Sequence, residues 1–177
     1  MKIAITGHTA GIGQALAEAF YGEEIVGLSR RTGHNIRNIA KVADLIEPCD
    51  LFVSNAQAGF AQTELLFEMH RRWADLDKRI WVISTMMTQQ PVSTVEGMDE
   101  YRIQKISLEL AAHQLRYKTP RGPHITVIRP GWIATQPGTT SPPAADPATW
   151  ARILVQTFRM AEANNLAIAD ISLGPKI

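Results

Sequence analysis

The feature that most constrains the fold is the regular alternation of short apolar segments with amphipathic segments along the chain. The apolar segments are rich in Ile and Val and lack the polar alternation of half-exposed strands, so they predict strands buried on both faces. The predicted strands cover 2–6, 23–29, 49–56, 79–85, 124–131 and 166–172, with a weak one near 33–36. The predicted helices cover 11–20, 37–46, 62–75, 99–117 and 147–163. Strands that are each separated by a helix indicate an α/β fold, a doubly wound parallel β-sheet with helices on both faces in three layers.

Length and charge limit the classes of function that this chain is expected to have. The 177 residues are predicted to form a single domain over 1–177, and a formal net charge of +1 favours neither a nucleic-acid partner nor an acidic membrane. No apolar run approaches the roughly 20 residues that span a bilayer, and the start lacks the apolar region of a signal peptide. The single Cys49 cannot form an internal disulfide, and the histidines show no metal-ligand spacing. A cytoplasmic protein without membrane, nucleic-acid or metal partners is therefore expected.

The first predicted strand runs into the first predicted helix through a glycine-rich turn, "ITGHTAGIG", residues 5–13. Gly7 can take a turn conformation closed to other residues, Gly11 lets the backbone approach a pyrophosphate, and Gly13 lets the helix pack closely on the sheet. The start of the helix then offers N–H groups to an anion. A turn with only a structural role is the alternative. The strand before it and the helix after it favour nucleotide binding on a Rossmann-like sheet.

A second pattern lies in the helix predicted over 99–117, where Tyr101 stands four residues before Lys105. This spacing puts both side chains on one helix face, one turn apart. Three tyrosines and six lysines give roughly 0.1 chance matches to this spacing, so the pair is a weak signal by itself. An ammonium about 4 Å from a phenol could lower the tyrosine pKa from about 10 to about 7, which would suit an acid–base catalyst.

Five short motifs follow one another along the chain: "TGHTAGIG" (6–13), "SNAQ" (54–57), "VIST" (82–85), "YRIQK" (101–105) and "PGWIAT" (130–135). In this order they resemble the motifs of the short-chain dehydrogenase/reductase family. Those are its Thr-Gly-x-x-x-Gly-x-Gly cofactor turn, its Asn-Asn-Ala-Gly segment, its active-site strand, its Tyr-x-x-x-Lys pair and its Pro-Gly segment with a following Thr. The resemblance extends over nearly the whole chain. It implies an oxidoreductase that transfers a hydride between a nicotinamide cofactor and a carbonyl or alcohol.

The residues after the second predicted strand bear on the choice of cofactor. An enzyme that prefers NAD usually has an acidic residue there, whereas this chain has Ser29, Arg30 and Arg31. Guanidinium groups can bind a 2′-phosphate, so NADP(H) is expected rather than NAD(H), with solvated surface arginines as the alternative. Ala10 departs from the basic residue that many NADP-preferring relatives have at its position. The resemblance implies that the cofactor-binding residues are Gly7, Thr9, Gly11, Ile12, Gly13, Ser29, Arg30, Arg31, Asn35, Ile36, Asn55, Ala56, Tyr101, Lys105, Pro130, Gly131, Ile133 and Thr135.

The resemblance also implies the catalytic residues. Tyr101 would give a proton to the substrate oxygen, and Lys105 would lower the pKa of that tyrosine and hold the nicotinamide ribose. The aligned motif selects Thr85, rather than Ser84, as the hydroxyl that orients the substrate oxygen, although either hydroxyl could donate. Further hydroxyl groups before Tyr101 belong to Thr88, Ser93 and Thr94.

The chain is shorter than most of the family, and three functions remain open. Many relatives use a helix asparagine in a proton relay, but no Asn occurs between Asn55 and Thr85, and Gln62 is a weak substitute. The segment 136–147 is interpreted as a loop beside the site or a plain surface loop. We favour an NADP(H)-dependent oxidoreductase for a small carbonyl or alcohol substrate. The alternatives are a noncatalytic dinucleotide sensor and a sugar-nucleotide epimerase or dehydratase. The resemblance further implies a homodimer or homotetramer formed through the helices at 62–75 and 99–117.

Overall fold

The computed structural model describes residues 1–92, 95–118, 121–135 and 144–176. Six strands form one sheet in the order β2-β1-β3-β4-β5-β6, and every neighbouring pair is parallel. The strands are β1 (Lys2–Thr6), β2 (Glu24–Leu28), β3 (Leu51–Ser54), β4 (Arg79–Ile83), β5 (His124–Pro130) and β6 (Asp170–Leu173). The predicted parallel α/β sheet is therefore confirmed.

Five helices cover the two faces of the sheet in the described residues. They are α1 (Gly11–Ala19), α2 (Ile39–Ile46), α3 (Ala61–Arg72), α4 (Asp99–Lys118) and α5 (Pro147–Ala163). Helices α1 and α5 pack together on one face, and α2, α3 and α4 pack side by side on the other. This arrangement gives the three predicted layers. No helix in the described part of the chain is long and apolar enough to cross a membrane.

The core consists of two apolar layers because successive strand residues point to opposite faces. In β3, for example, Phe52 packs with the α2–α3–α4 layer and Val53 with the α1–α5 layer, and both are fully buried. Helix α5 begins where the sequence offers two start signals. Asp146 accepts a hydrogen bond from the Thr149 amide at 2.8 Å, and Pro147 occupies the first helical turn.

One predicted strand does not form. Instead of a strand near 33–36, the chain makes a short 3₁₀ turn at Arg30–Thr32 and then a left-handed residue, Gly33, with φ +81°. The Ser29 and Thr32 side chains cap this turn reciprocally, and these local hydrogen bonds compete with extended backbone. As a result β2 is an edge strand of the sheet. The last strand also begins later than predicted, at Asp170.

The strand order reverses between β1 and β3, because β2 lies on one side of β1 and all later strands lie on the other. In open α/β sheets, ligands bind beyond the carboxyl ends of the strands at such a switch point. The glycine-rich turn follows β1, and Asn55 follows β3, so both lie at this position. Most of the loop predicted at 136–147, residues 136–143, lies outside the described residues.

Candidate active site

The glycine-rich turn has the close backbone packing that its sequence predicts. Gly7 and Gly11 have φ values of +73° and +55°, a region that side-chain-bearing residues rarely adopt. A Cβ atom at Gly13 would lie 2.2 Å from the Gly7 carbonyl oxygen, so only glycine fits there. Ala10 precedes α1, and no described side chain caps this helix. The first-turn N–H groups and the bare glycine backbone together form a cradle that suits a pyrophosphate.

Thr6 and Asn55 join this turn to the end of β3. The Thr6 hydroxyl accepts hydrogen bonds from the amides of Asn55 and Ala56, at 3.0 and 3.1 Å. The Asn55 side-chain amide donates to the Thr6 carbonyl at 3.0 Å, and its nitrogen lies directly beside Gly7 and Gly13. Asn55 and Ala56 thus lie next to the glycine turn, as a shared cofactor site requires, and Asn55 also holds the two loops together.

The predicted 2′-phosphate contacts lie at the carboxyl end of β2. Ser29 is buried and caps the 3₁₀ turn, whereas the side chains of Arg30 and Arg31 are exposed and make no ion pair within the described residues. The two guanidinium groups are therefore available to an anion. Asn35 is exposed and accepts a hydrogen bond from the Arg37 amide at 3.1 Å.

Two other predicted cofactor residues have different surroundings. The Ile36 side chain is 5% exposed and packs in the α2–α3–α4 core, so it faces the core rather than the surface. Thr9, in contrast, is half-buried in the turn itself. The neighbouring His8, which sequence reasoning passed over, lies across Gly27, where a Cβ atom would come within 2.4 Å of its ring.

Lys105 is buried on the inner face of α4, with 3% of its surface exposed. Its ammonium group donates hydrogen bonds to the Gln62 side-chain oxygen and to the Ile83 carbonyl, both at 2.8 Å. Burial lowers the pKa of Lys105 to about 7, while the nearby charge of Glu109 acts in the opposite direction. The Lys105 nitrogen lies 5.7 Å from the centre of the Tyr101 ring, so the predicted pair does share one helix face.

The pKa of Tyr101 moves in the direction opposite to the prediction. Burial raises it, and the interaction of the phenol with the Thr85 side chain lowers it by a smaller amount. The causes of the shift are thus burial and Thr85, while the Lys105 ammonium donates its hydrogen bonds to Gln62 and Ile83. The predicted lowering of the Tyr101 pKa by Lys105 is therefore absent from this arrangement.

The two candidate hydroxyls after β4 have separate surroundings. Ser84 is 3% exposed, and its hydroxyl donates to the buried carboxylate of Glu109. Thr85 is half-buried and interacts with Tyr101, and its hydroxyl accepts from the Met87 amide at 3.3 Å. Of the two, Thr85 therefore lies beside the phenol. Thr88 hydrogen-bonds to Glu109, and Ser93 and Thr94 lie outside the described residues.

Gln62 has a larger part in the site than the sequence indicates. It is 2% exposed near the start of α3, and its side-chain amide donates to the Ser54 carbonyl at 2.7 Å and to the Ile83 carbonyl at 3.3 Å. These contacts orient its oxygen towards Lys105. The available signal was the absence of asparagine from 56–84, which left Gln62 as the amide nearest the start of the predicted helix.

A chain of side-chain amides was missed by sequence reasoning. Gln57 donates to Gln104, which donates to Glu100 at 2.7 Å, so the loop after β3 is tied to α4 between Tyr101 and Lys105. Gln57 stands where the family motif has glycine. Its polar side chain at a loop end gave no sign of its partner, because the contact joins residues 47 positions apart.

The segment after β5 completes the site. Gly131 lies so close to Gly174 that a Cβ atom would come within 2.8 Å of the Gly174 backbone, and its amide donates to the Leu173 carbonyl at 2.9 Å. Ile133 is buried and forms a backbone bridge with Ala145. The side chain of Thr135 contacts Gly11, since a Cβ atom added to that glycine would lie 3.2 Å from it. Pro130, Gly131, Ile133 and Thr135 therefore connect the end of β5 to the glycine turn.

Within the described residues, no group of three or more His, Cys, Asp or Glu side chains could hold a metal ion. The site instead consists of a glycine cradle, two exposed arginines, a phenol, a buried ammonium and a hydroxyl. All of them lie at the carboxyl edge of one parallel sheet. The architecture thus defines a Rossmann-like α/β protein with a dinucleotide-type cradle at the switch point.

Among solved structures, this architecture matches short-chain dehydrogenases/reductases. No protein-family model matches the sequence, and no curated protein matches it. A short-chain dehydrogenase from Burkholderia cenocepacia J2315 in complex with NADP has 15% sequence identity and a TM-score of 0.77, and the match covers 98% of this chain and 88% of that one. An NADPH-dependent 3-quinuclidinone reductase from Rhodotorula rubra has 15% identity and a TM-score of 0.77, with 97% and 89% covered.

A third match is an alcohol dehydrogenase from the archaeon Thermococcus sibiricus complexed with 5-hydroxy-NADP. It has 13% identity and a TM-score of 0.74, and the match covers 99% of both chains. At these identities the comparison establishes the fold, which is that of short-chain dehydrogenases/reductases over nearly the whole chain.

Proposed function

We propose that the protein is an NADP(H)-dependent oxidoreductase of the short-chain dehydrogenase/reductase type, which interconverts a small carbonyl compound and its alcohol. The observation that carries this proposal is the convergence of three groups at the carboxyl end of β4. Tyr101 interacts with Thr85, and the buried ammonium of Lys105 lies one helical turn away. A phenol, a hydroxyl and an ammonium are the groups needed to bind and protonate a carbonyl oxygen.

The cradle after β1 would hold the cofactor, whose dihydronicotinamide supplies a hydride when bound. Gly11 has no side chain of its own to block a pyrophosphate, and the first turn of α1 offers N–H groups that no side chain caps. Arg30 and Arg31 are exposed and free of ion pairs among the described residues, which favours a 2′-phosphate and hence NADP(H) over NAD(H). The NADP-type ligands of two of the structural matches agree with this choice.

The chain's own residues then act on the substrate oxygen. Thr85 would donate a hydrogen bond to it, and Tyr101 would donate its phenolic proton as negative charge develops there. The ammonium of Lys105, held by Gln62 and Ile83, still has a third proton for the nicotinamide ribose.

Exposed apolar side chains on α4 support the proposal of a homo-oligomer. Ile103, Leu110 and Tyr117 are 56%, 64% and 84% exposed and recur every seven residues, which places them on one stripe of the helix. We expect Leu110→Lys to reduce the molecular mass measured by light scattering to that of one chain. An unchanged mass would place the interface elsewhere. We further expect the protein to act in the cytoplasm on small molecules, without nucleic-acid or membrane partners.

The test is a panel of aldehydes and ketones, assayed with NADPH and with NADH. We expect carbonyl-dependent oxidation of NADPH, and Tyr101→Phe should abolish it while NADPH binding, measured by fluorescence, stays unchanged. If activity survived this change, Tyr101 would not be the proton donor. If the protein bound NADPH but reduced no carbonyl, a dinucleotide sensor would be favoured. Turnover of a sugar nucleotide without net oxidation would favour an epimerase or dehydratase.

A further inference from the structure

A buried ion pair lies one helical turn beyond Lys105. Arg129 of β5 donates two hydrogen bonds to the same carboxylate oxygen of Glu109, from Nε at 3.0 Å and from Nη2 at 2.8 Å. The side chains of Glu109 and Arg129 are only 10% and 11% exposed. Neither residue belongs to the five motifs discussed above.

The second carboxylate oxygen of Glu109 holds the segment that carries Thr85. It accepts hydrogen bonds from the hydroxyl of Ser84 and from that of Thr88, the latter at 2.7 Å. Thr88 Oγ1 also lies 2.8 Å from the Thr85 carbonyl oxygen. Glu109 therefore binds the residue immediately before Thr85 and the residue three positions after it, and Thr85 lies between these two points.

Arg129 is itself fixed from the far side. Its Nη1 atom lies 3.1 Å from a carboxylate oxygen of Asp170 in β6, and Asp170 is also paired with Arg116 at 2.8 Å and with His113 at 3.2 Å. The charged and titratable groups around the pair are thus Lys105, Arg116 and His113 from α4 and Asp170 from β6. A continuous set of hydrogen bonds runs from β6 through Arg129 and Glu109 to the Thr85 segment.

Packing alone does not require this arrangement. A buried ion pair contributes little net stability compared with apolar residues of similar volume, because both charges lose their hydration. What apolar residues cannot supply is a fixed acceptor for the hydroxyls of Ser84 and Thr88.

A second contact between α4 and this segment comes from Arg102, next to Tyr101, which donates a hydrogen bond to the Met87 carbonyl at 3.1 Å. Helix α4 therefore contacts the segment at two points while it also carries Tyr101.

We propose that Glu109, held by Arg129, is a positioning residue that sets the Thr85 hydroxyl against Tyr101. The inference rests on the proposed function, since the role of Thr85 belongs to it. What has to be maintained is the position of the Thr85 hydroxyl, which follows β4, relative to the Tyr101 phenol on α4. A misplacement of about 1 Å in a catalytic site can cost about 100-fold in rate.

The test uses the double variant Glu109→Met with Arg129→Met, which removes the ion pair without leaving one charge buried. We expect kcat to fall roughly 10- to 100-fold, with the dissociation constant for NADPH unchanged. The control is Arg79→Met with Glu162→Met, a more exposed ion pair at the amino end of β4, which should leave kcat unchanged. Ser84→Ala with Thr88→Val keeps the ion pair and removes only the contacts to the segment, so it should reproduce the loss if the first variant folds poorly.

A double-mutant cycle with Thr85→Val separates positioning from a general structural effect. Once the Thr85 hydroxyl is gone, loss of the Glu109–Arg129 pair should reduce kcat by less than about twofold further. Fully additive losses would overturn the inference. They would leave the proposed function intact, provided that the wild-type protein reduces carbonyls and Tyr101→Phe does not.

A second readout does not depend on turnover. In protein labelled with 13C at tyrosine Cζ, Tyr101 is distinguished from Tyr21 and Tyr117, which are 92% and 84% exposed. Because contact with Thr85 lowers the pKa of Tyr101, both the ion-pair variant and Thr85→Val should shift its titration to higher pH, and their combination should shift it no further. An unchanged titration in the ion-pair variant would overturn the inference even if the protein had no reductase activity.

Discussion

Replacing Gln62 should change the pKa of Lys105 while leaving the helix that carries the lysine in place. The Gln62 oxygen accepts one of the two hydrogen bonds made by the buried ammonium, and Ile83 accepts the other. Gln62→Leu removes the first acceptor at nearly constant volume. Gln62→Glu replaces it with a negative charge. The two changes should move the lysine pKa in opposite directions.

The magnitude follows from the structure. A hydrogen bond to a charged group contributes about 1.5–3 kcal/mol, roughly twice as much as one between neutral groups. Gln62→Leu should therefore destabilise the ammonium relative to the amine by about 1–1.5 kcal/mol, which is about one pKa unit. From a starting value of about 7, the pKa of Lys105 should fall to about 6. Gln62→Glu should raise it, because an adjacent carboxylate favours the ammonium.

The assay is an NMR titration of protein labelled with 13C and 15N in its six lysines, following each Cε signal with pH. Lys105→Met assigns the signal, and Gln114→Leu, at an exposed glutamine of α4, is the matched control. A wild-type Lys105 that titrates near its ordinary value of about 10.4 would refute the argument from burial. A Lys105 pKa that is the same in both Gln62 variants would show that this contact does not stabilise the ammonium.

Three further outcomes are expected. The folded pKa of Lys105 lies below its unfolded value, so its destabilising effect is fully present below about pH 7 and is lost as pH rises towards about 10.4. Between about pH 7 and 10.4, the unfolding free energy of the wild type should therefore increase by about 1.4 kcal/mol per pH unit relative to that of Lys105→Met. Urea denaturation of both proteins measures this difference. Gly13→Ala should weaken NADPH binding at least about tenfold and lower the free energy of unfolding by about 1–3 kcal/mol, because the added Cβ would overlap the Gly7 carbonyl. Unchanged NADPH binding and an unchanged melting temperature would contradict this packing argument. Arg30→Glu combined with Arg31→Glu should weaken NADPH binding by about 10- to 100-fold with little effect on NADH, and equal losses for both cofactors in calorimetry would exclude a 2′-phosphate contact.

The sequence was informative wherever one local physical rule decided the structure. Buried strands followed from apolar runs, and the close packing at Gly7, Gly11 and Gly13 followed from the need for a backbone without side chains. The same logic failed near 33–36. There the side chains of Ser29 and Thr32 satisfy the local backbone with their own hydrogen bonds, and so compete with strand pairing.

The polar contacts of the candidate site were much less predictable. Gln62, Glu109 and Arg129 lie on three different elements, and their pairing depends on how α3 and α4 pack against the sheet. In the sequence, nothing distinguishes any of the three from an ordinary polar residue of a helix or strand. Ile36 shows the converse case, because a position expected to contact the cofactor has its side chain in the core.

Helix α4 is held on the sheet in two different ways along its length. Its buried apolar residues, Leu108, Ala111, Ala112 and Leu115, lie from the middle of the helix onward and in the core, whereas Gln104 and Lys105 are buried nearer its start. The apolar residues therefore anchor the helix, while the hydrogen bonds of the polar residues fix its rotation about its own axis and so hold Tyr101 at the carboxyl edge of the sheet.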